Sequence, residues 1–426
     1  MWYNEGMDDD LASKWENSYS DDARVLTRSE IRTLFAVVAE HPEVVSLAGG
    51  MPSLDQMPFA EISKVLADVV AKRGAELWQY GTAQGDERLR ELVLDICKLE
   101  GVQANKDNVV LTSGSQQALD YITRLFINPD DVVLCEEPIY VGAKGIFASY
   151  RADIISIKMD GGGLIPELLE KTIIEQEKQN KKIKFLYTVP NFHNPASVTL
   201  LVERRPKVLE ICKKHGILII EDNPYGLLSF EGELYPSIYS FDYSEDSEFS
   251  NAAENVIYLG SFSKIIAPGF RVGYAIAPSA ICEKLVLCAE AATLCSSTNS
   301  QMTLVAYLEN FDWMKRINLF RKSYKERSYA MITALEKYLP ECTFEVPHGG
   351  FYIWLKLPEG VRSDKLLPYA FDAGVVYVPG TGFYADNRGA EYIRISFCYP
   401  NSEEITAGIK HLKSAIDNYK KQEALK

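Results

Sequence analysis

Short apolar runs rich in β-branched residues recur through the middle of the chain, at 108–112, 131–135, 153–157, 183–189, 217–221, 255–259 and 272–277. Several are apolar almost throughout, the pattern of strands covered on both faces. Between most of them lie stretches with a helical period, such as 116–127 and 203–214, the second stopped by Gly216 in a C-cap position. This alternation predicts an α/β domain of three layers, a mostly parallel sheet of about seven strands between two sets of helices. From about residue 280 the pattern turns to long helices, through 308 and again over 313–338. The last part predicts strands over 350–357, 374–378 and 391–397 and a helix over 402–419, a smaller α+β domain. The expected division is 1–55 as an N-terminal arm and part of the small domain, 56–309 as the large domain and 310–426 as the small one.

Composition narrows the function classes. A chain of 426 residues with 47% hydrophobic content is too long for one ordinary core, which agrees with two domains. A net charge of -14 argues against a nucleic-acid partner, because an acidic surface repels a phosphate backbone. The short basic run Lys181-Lys182-Ile183-Lys184 reads as a solvated strand border. Eight scattered cysteines, without a Cys-x-x-Cys pair or histidines at metal spacing, read as reduced thiols and predict no metal site. The acidic start of the chain lacks the features of a secretion signal, and no run approaches the ~18 apolar residues of a membrane span. A cytoplasmic protein without a membrane partner is expected.

In open α/β sheets ligands sit beyond the carboxyl ends of the strands, so the polar residues after each predicted strand carry the chemistry. Ser261-Phe262-Ser263-Lys264, followed by Ala267-Pro268-Gly269-Phe270-Arg271, combines an amine, two hydroxyls and a guanidinium. The amine can form a Schiff base with a carbonyl, and the other groups can hold phosphate oxygens. Ser113-Gly114-Ser115-Gln116 opens a helix whose first amides suit the same anion. In Glu221-Asp222-Asn223-Pro224-Tyr225, an aspartate at the end of a buried strand can keep a proton on a heterocyclic nitrogen. Glu221 faces the other side of its strand and is expected to be structural. His193, in Pro190-Asn191-Phe192-His193-Asn194-Pro195, is expected to make a local structural contact.

Taken in order, these motifs resemble the fold type I pyridoxal-phosphate aminotransferases of class I/II, with an aspartate aminotransferase-like fold. Ser46-Leu47-Ala48-Gly49-Gly50-Met51-Pro52, preceded by Ser29-Glu30-Ile31-Arg32, is similar to the branch containing 2-aminoadipate and kynurenine aminotransferases. The resemblance implies that Lys264 bonds pyridoxal 5'-phosphate, Asp222 faces its pyridine nitrogen and Tyr140 stacks on its ring. It assigns Asn194 and Tyr225 to the phenolic oxygen, and Ser115, Gln116, Ser261, Ser263 and Arg271 to the phosphate. Arg394, in Tyr392-Ile393-Arg394-Ile395-Ser396, falls to the substrate α-carboxylate. Asn194 and Gly50 are also expected to bind the substrate, and Arg32, in an N-terminal arm that closes over it, to contact its side chain. Tyr80, in Trp78-Gln79-Tyr80-Gly81, would reach the phosphate of a neighbouring subunit, which implies a homodimer with shared sites. After Pro195 the family pattern has Thr-Gly where this chain has Ala196-Ser197. The activity implied is transfer of an amino group from an L-amino acid of 2-aminoadipate, aromatic or branched-chain type to a 2-oxo acid such as 2-oxoglutarate. A carbon-sulfur β-lyase would use the same groups. A ligand-sensing module without turnover would need a DNA-binding domain ahead of it, for which the short acidic N-terminus leaves no room.

Overall fold

In the computed structural model, residues 15–26, 34, 38–242, 252–386 and 388–425 are described. All seven strands expected in the middle of the chain form: β2 (Val109–Thr112), β3 (Val132–Glu137), β4 (Asp153–Asp160), β6 (Ile183–Thr188), β7 (Leu218–Asp222), β8 (Val256–Ser261) and β9 (Gly273–Ile276). An eighth, the two-residue β5 (Gly163–Leu164), folds back antiparallel on β4 at the sheet edge; it is too short to leave a pattern in the sequence. The order is β2-β9-β8-β7-β6-β3-β4-β5. The pairs β8-β7, β7-β6, β6-β3 and β3-β4 are parallel, whereas β9 runs antiparallel between β2 and β8.

Alternate residues of each strand feed two separate cores, which is why these runs are apolar throughout. Val110, Val133, Phe185, Ile220 and Leu259 pack on one side with Leu119 and Ile122 of helix Ser115–Phe126, Phe147 of helix Val141–Ser149 and Leu285 of helix Ser279–Thr293. Leu111, Leu134, Leu186, Ile219 and Tyr258 pack on the other, with Leu169 and Ile173 of helix Pro166–Lys178 and Val208 and Cys212 of helix Arg205–Lys214. Fully burying each such side chain contributes about 1.5–3 kcal/mol.

The long helical region after residue 280 is two helices, not one. Leu294 takes φ 64°, ending the first, and Ser297 caps the second, Thr298–Asn310, by accepting from the Ser300 amide. Helix Trp313–Tyr338 then leads into the last part, where β10 (Tyr352–Lys356), β13 (Tyr392–Ser396) and β12 (Val378–Pro379) form an antiparallel sheet in the order β10-β13-β12. Helix Ser402–Glu423 begins with a capping box between Asn401 and Glu404. A helix over Ser363–Asp372 forms where none was expected; Pro368 inside it masked its periodicity. The N-terminal part joins this region through β1 (Val45–Ser46), which pairs parallel with β11 (Val375–Val376), while the Ser396 amide donates to the Leu47 carbonyl at 2.7 Å. Among the described residues no helix is long and apolar enough to cross a membrane.

Candidate active site

The carboxyl ends of β2, β3, β6, β7 and β8 open onto a cavity of about 150 Å³ lined by Gly114, Ser115, Gln116, Tyr140, Val189, Asn194, Asp222, Pro224, Tyr225, Ser261, Ser263, Lys264, Pro268 and Arg271. Because β9 is reversed, the connection from β8 to β9 lies at this same end, and β9 pairs Gly273 with Thr112 on one side and Ser261 on the other. That juxtaposes the Lys264 loop with the start of helix Ser115–Phe126. Gly114 precedes this helix at φ 86° and supplies no side-chain cap, so the first amides are left for an anion. A Cβ on Gly114 would meet Arg271 Nη2 at 2.6 Å, and one on Gly273 would run into the backbone of Gly114 and Ser115. Only glycines allow these segments to close together. Arg271, at φ 51°, donates from Nη2 to the Ser113 carbonyl at 3.1 Å; Ser261 Oγ donates to Ser263 Oγ at 3.0 Å.

Asp222 ends β7 buried. Its Oδ2 accepts from the Tyr187 hydroxyl at 2.8 Å and its Oδ1 has no partner. Burial raises the carboxyl to about 6, opposed by the Tyr187 hydrogen bond. Glu221 points to the opposite side, where it accepts from the Ile238 and Tyr239 amides at 2.9 Å each. Its structural reading agrees with this placement. Half-buried Lys264 donates to the Gly50 carbonyl at 2.8 Å. Its amine is lowered to about 8, first by desolvation and then by the charges of Arg394 and Arg271, with Cys398 opposing. Such an amine is a far better nucleophile at neutral pH than an exposed lysine.

Against these lining residues pack the C-terminal region and the segment 48–50. Arg394, buried in the middle of β13, donates from Nη1 to Asn194 Oδ1 and from Nη2 to the Ala48 carbonyl, both at 2.9 Å. Its guanidinium lies 4.2 Å from the centroid of the Tyr352 ring, and its Nε is unpartnered. Tyr225 is buried edge-on to Tyr352, with centroids 6.2 Å apart. A Cβ on Gly50 would collide with the Tyr352 hydroxyl. Tyr140 has room for its ring because residue 142 is glycine, and burial pushes its phenol up to about 12. His193 is buried with Nε2 3.3 Å from Glu136 Oε2, a local structural contact as expected.

Twelve of the fourteen candidates thus gather in one place: Ser115, Gln116, Tyr140, Asn194, Asp222, Tyr225, Ser261, Ser263, Lys264 and Arg271 around the cavity, and Gly50 and Arg394 bonded to its members. Tyr80 does not line it and is 77% exposed. Arg32 lies outside the described residues. Sequence reasoning missed Tyr187 and Tyr352. The first occupies an ordinary buried strand position; the second follows Gly349-Gly350-Phe351, a glycine pair that marks close backbone approach.

An anion cradle, a depressed amine and a buried carboxylate with one free oxygen are the chemical complement of a phosphorylated aldehyde on a protonatable ring. The donor set fits pyridoxal phosphate. The chain belongs to the family described as aminotransferase class I and II, which matches residues 42–412. It is a pyridoxal-phosphate-dependent aminotransferase. It is 38% identical over 404 residues to aromatic-amino-acid aminotransferase 1 of Thermococcus litoralis, covering 94% of each chain. It is 30% identical to the 2-aminoadipate transaminase of Thermus thermophilus, over 94% of this chain and 97% of the relative. Among solved structures, the kynurenine aminotransferase of Pyrococcus horikoshii in complex with PMP superposes with a TM-score of 0.88 at 37% identity, covering 96% of this chain and 99% of that one. The fold is the aspartate aminotransferase-like one expected.

Proposed function

We propose that the chain moves the amino group of an aromatic, 2-aminoadipate-type or branched-chain L-amino acid to a 2-oxo acid, 2-oxoglutarate first among them. Support for the aromatic and 2-aminoadipate-type donors comes from the relatives above. The observation that carries the site assignment is the meeting of Lys264 and Asp222 in the lining of one cavity, with Oδ1 of the carboxylate buried and without a partner.

Bound pyridoxal phosphate supplies a carbonyl that takes up an amine and a ring that absorbs the electron pair left on the substrate α-carbon. Lys264 is the residue that would hold that carbonyl. The Lys264 amine, when free, would take and return the proton at the substrate α-carbon. Asp222 keeps the ring nitrogen protonated through Oδ1. Asn194 and Tyr225 would hold the phenolic oxygen, and Tyr140 would supply an aromatic surface for the ring. The amides of Ser115 and Gln116, the hydroxyls of Ser261 and Ser263 and the Arg271 fork hold the phosphate. Arg394 takes the α-carboxylate, for which its parallel donors are suited. Gly50 gives the freed amine a carbonyl acceptor, and Arg32 contacts the substrate side chain.

The site is shared between two subunits, with Tyr80 reaching the partner's phosphate. Its exposure beside Trp78, itself 71% exposed, supports a covered surface there. Eight unpaired cysteines support a reducing, cytoplasmic compartment.

The test is spectroscopic. Mixing the purified yellow holoenzyme with a panel of amino acids should bleach its long-wavelength absorbance, and adding a 2-oxo acid should restore it. Ammonia and pyruvate released from cystathionine without an oxo acid would instead identify an elimination enzyme.

A further inference from the structure

Tyr187 stands opposite Ile220 in the β6–β7 pairing, and Asp222 lies two residues farther along β7 on the same face. The Tyr187 ring is fixed edge-on against Phe147, with centroids 5.5 Å apart, and its buried hydroxyl donates to Asp222 Oδ2 at 2.8 Å. Asp222 lines the cavity and Tyr187 does not. The two oxygens of this carboxylate are therefore unlike: Oδ2 is taken by the neighbouring strand, and Oδ1 is buried without a partner. Resting on the role proposed above for Asp222, we propose that Tyr187 is a positioning residue for amino transfer. It turns the Asp222 carboxylate so that one oxygen is left for the ring nitrogen, and it keeps that carboxylate ionised.

The physical argument is that burial favours the neutral carboxyl, and the Tyr187 hydrogen bond is the contact that opposes it. A protonated Asp222 could not hold the ring nitrogen by an ion pair. Burial and the charge of Asp222 push the Tyr187 phenol well above its usual range, so it remains a donor at every working pH. A second phenol, Tyr140, also faces Asp222 and is likewise held neutral.

Tyr187→Phe keeps the ring and its packing while removing the donor. We expect kcat to fall about ten- to a hundredfold, the effect of losing one hydrogen bond to a buried charge, with the donor KM within about twofold. The acidic limb of the kcat profile should move to higher pH. In an Asp222→Asn background the same substitution should change kcat by less than about twofold, because the group it acts through is gone. An unchanged kcat and acidic limb, or an equal loss in both backgrounds, would overturn the proposal. Should Tyr187→Phe fail to fold, Tyr187→His carries the test: a donor at that place should retain more activity than Tyr187→Leu, and equal activities would count against the assignment. A wild-type protein without any cofactor absorbance would defeat the Asp222 reading itself, and is distinguishable because it needs no variant.

Discussion

The two walls of the site are built differently. The large-domain wall is a row of strand ends: Asp222 and Ser261 end β7 and β8, strands paired on both sides within one buried sheet, and helix Ser115–Phe126 starts from the edge strand β2 of the same sheet. The opposite wall is assembled from pieces far apart in the chain, Tyr352 and Arg394 from the small sheet and Ala48 and Gly50 from the segment 48–50, which meet the cavity residues through single hydrogen bonds and ring contacts. Chemistry common to every substrate is expected from the first wall, and discrimination among substrates from the second. In such an arrangement the reacting groups are preorganised by the scaffold, while selectivity can vary without disturbing them.

The severest challenge to this contrast is Lys264→Ala, which should lower turnover roughly 10⁴-fold for every donor alike. A variant that still converts an amino acid to its oxo acid at the normal rate would show that the amine has been misplaced. Asp222→Ala should keep the cofactor bound yet slow α-proton removal by about 10²- to 10³-fold, read from loss of deuterium at the donor α-carbon. On the opposite wall, Arg394→Lys should reduce kcat/KM by about ten- to a hundredfold, mostly through KM, since an ammonium cannot offer two parallel donors. Uniform loss in kcat there would erase the distinction between the walls.

Acidity probes the first wall without a mutation. Burial raises the Asp222 carboxyl to about 6 and lowers the Lys264 amine to about 8. The ionised carboxylate is present above its value, so equilibrium affinity for pyridoxal phosphate should fall as pH drops below about 6. The unprotonated amine accumulates as pH rises, so the rate of cofactor capture should climb toward pH 8 and level off. A flat affinity from pH 5 to 7 would remove the carboxylate from the ring nitrogen. The smallest effect is assigned to Tyr80→Phe, a several-fold loss of cofactor affinity measurable only in the dimer. An unchanged affinity would leave the site complete within one chain.

The same contrast explains what the sequence revealed. Strands buried on both faces are continuous apolar runs, and the polar residues just beyond them, such as Asp222 and Ser261, stand out against that background. The second wall offers weaker signals. β11 and β12 have two residues each, and Pro368 hides the helix over Ser363–Asp372. Arg394 was identifiable only by resemblance, because an arginine in a strand is ordinarily a surface residue. Tyr187 was invisible for another reason: a tyrosine inside an apolar run reads as core, and only the register of β6 on β7 brings its hydroxyl to Asp222. The break at Leu294 was equally hidden, since leucine rarely adopts a positive φ.

The resting state of Arg394 bears on how such an enzyme cycles. Its two terminal nitrogens already have oxygen acceptors in Asn194 and Ala48, so in the role proposed for Arg394 an arriving carboxylate would gain only the difference between its own bonds and those it displaces. Donor and acceptor must visit the same spot in turn, and each product has to depart before its successor enters. A guanidinium with ready-made substitutes surrenders its guest easily, favouring rapid exchange over tight retention.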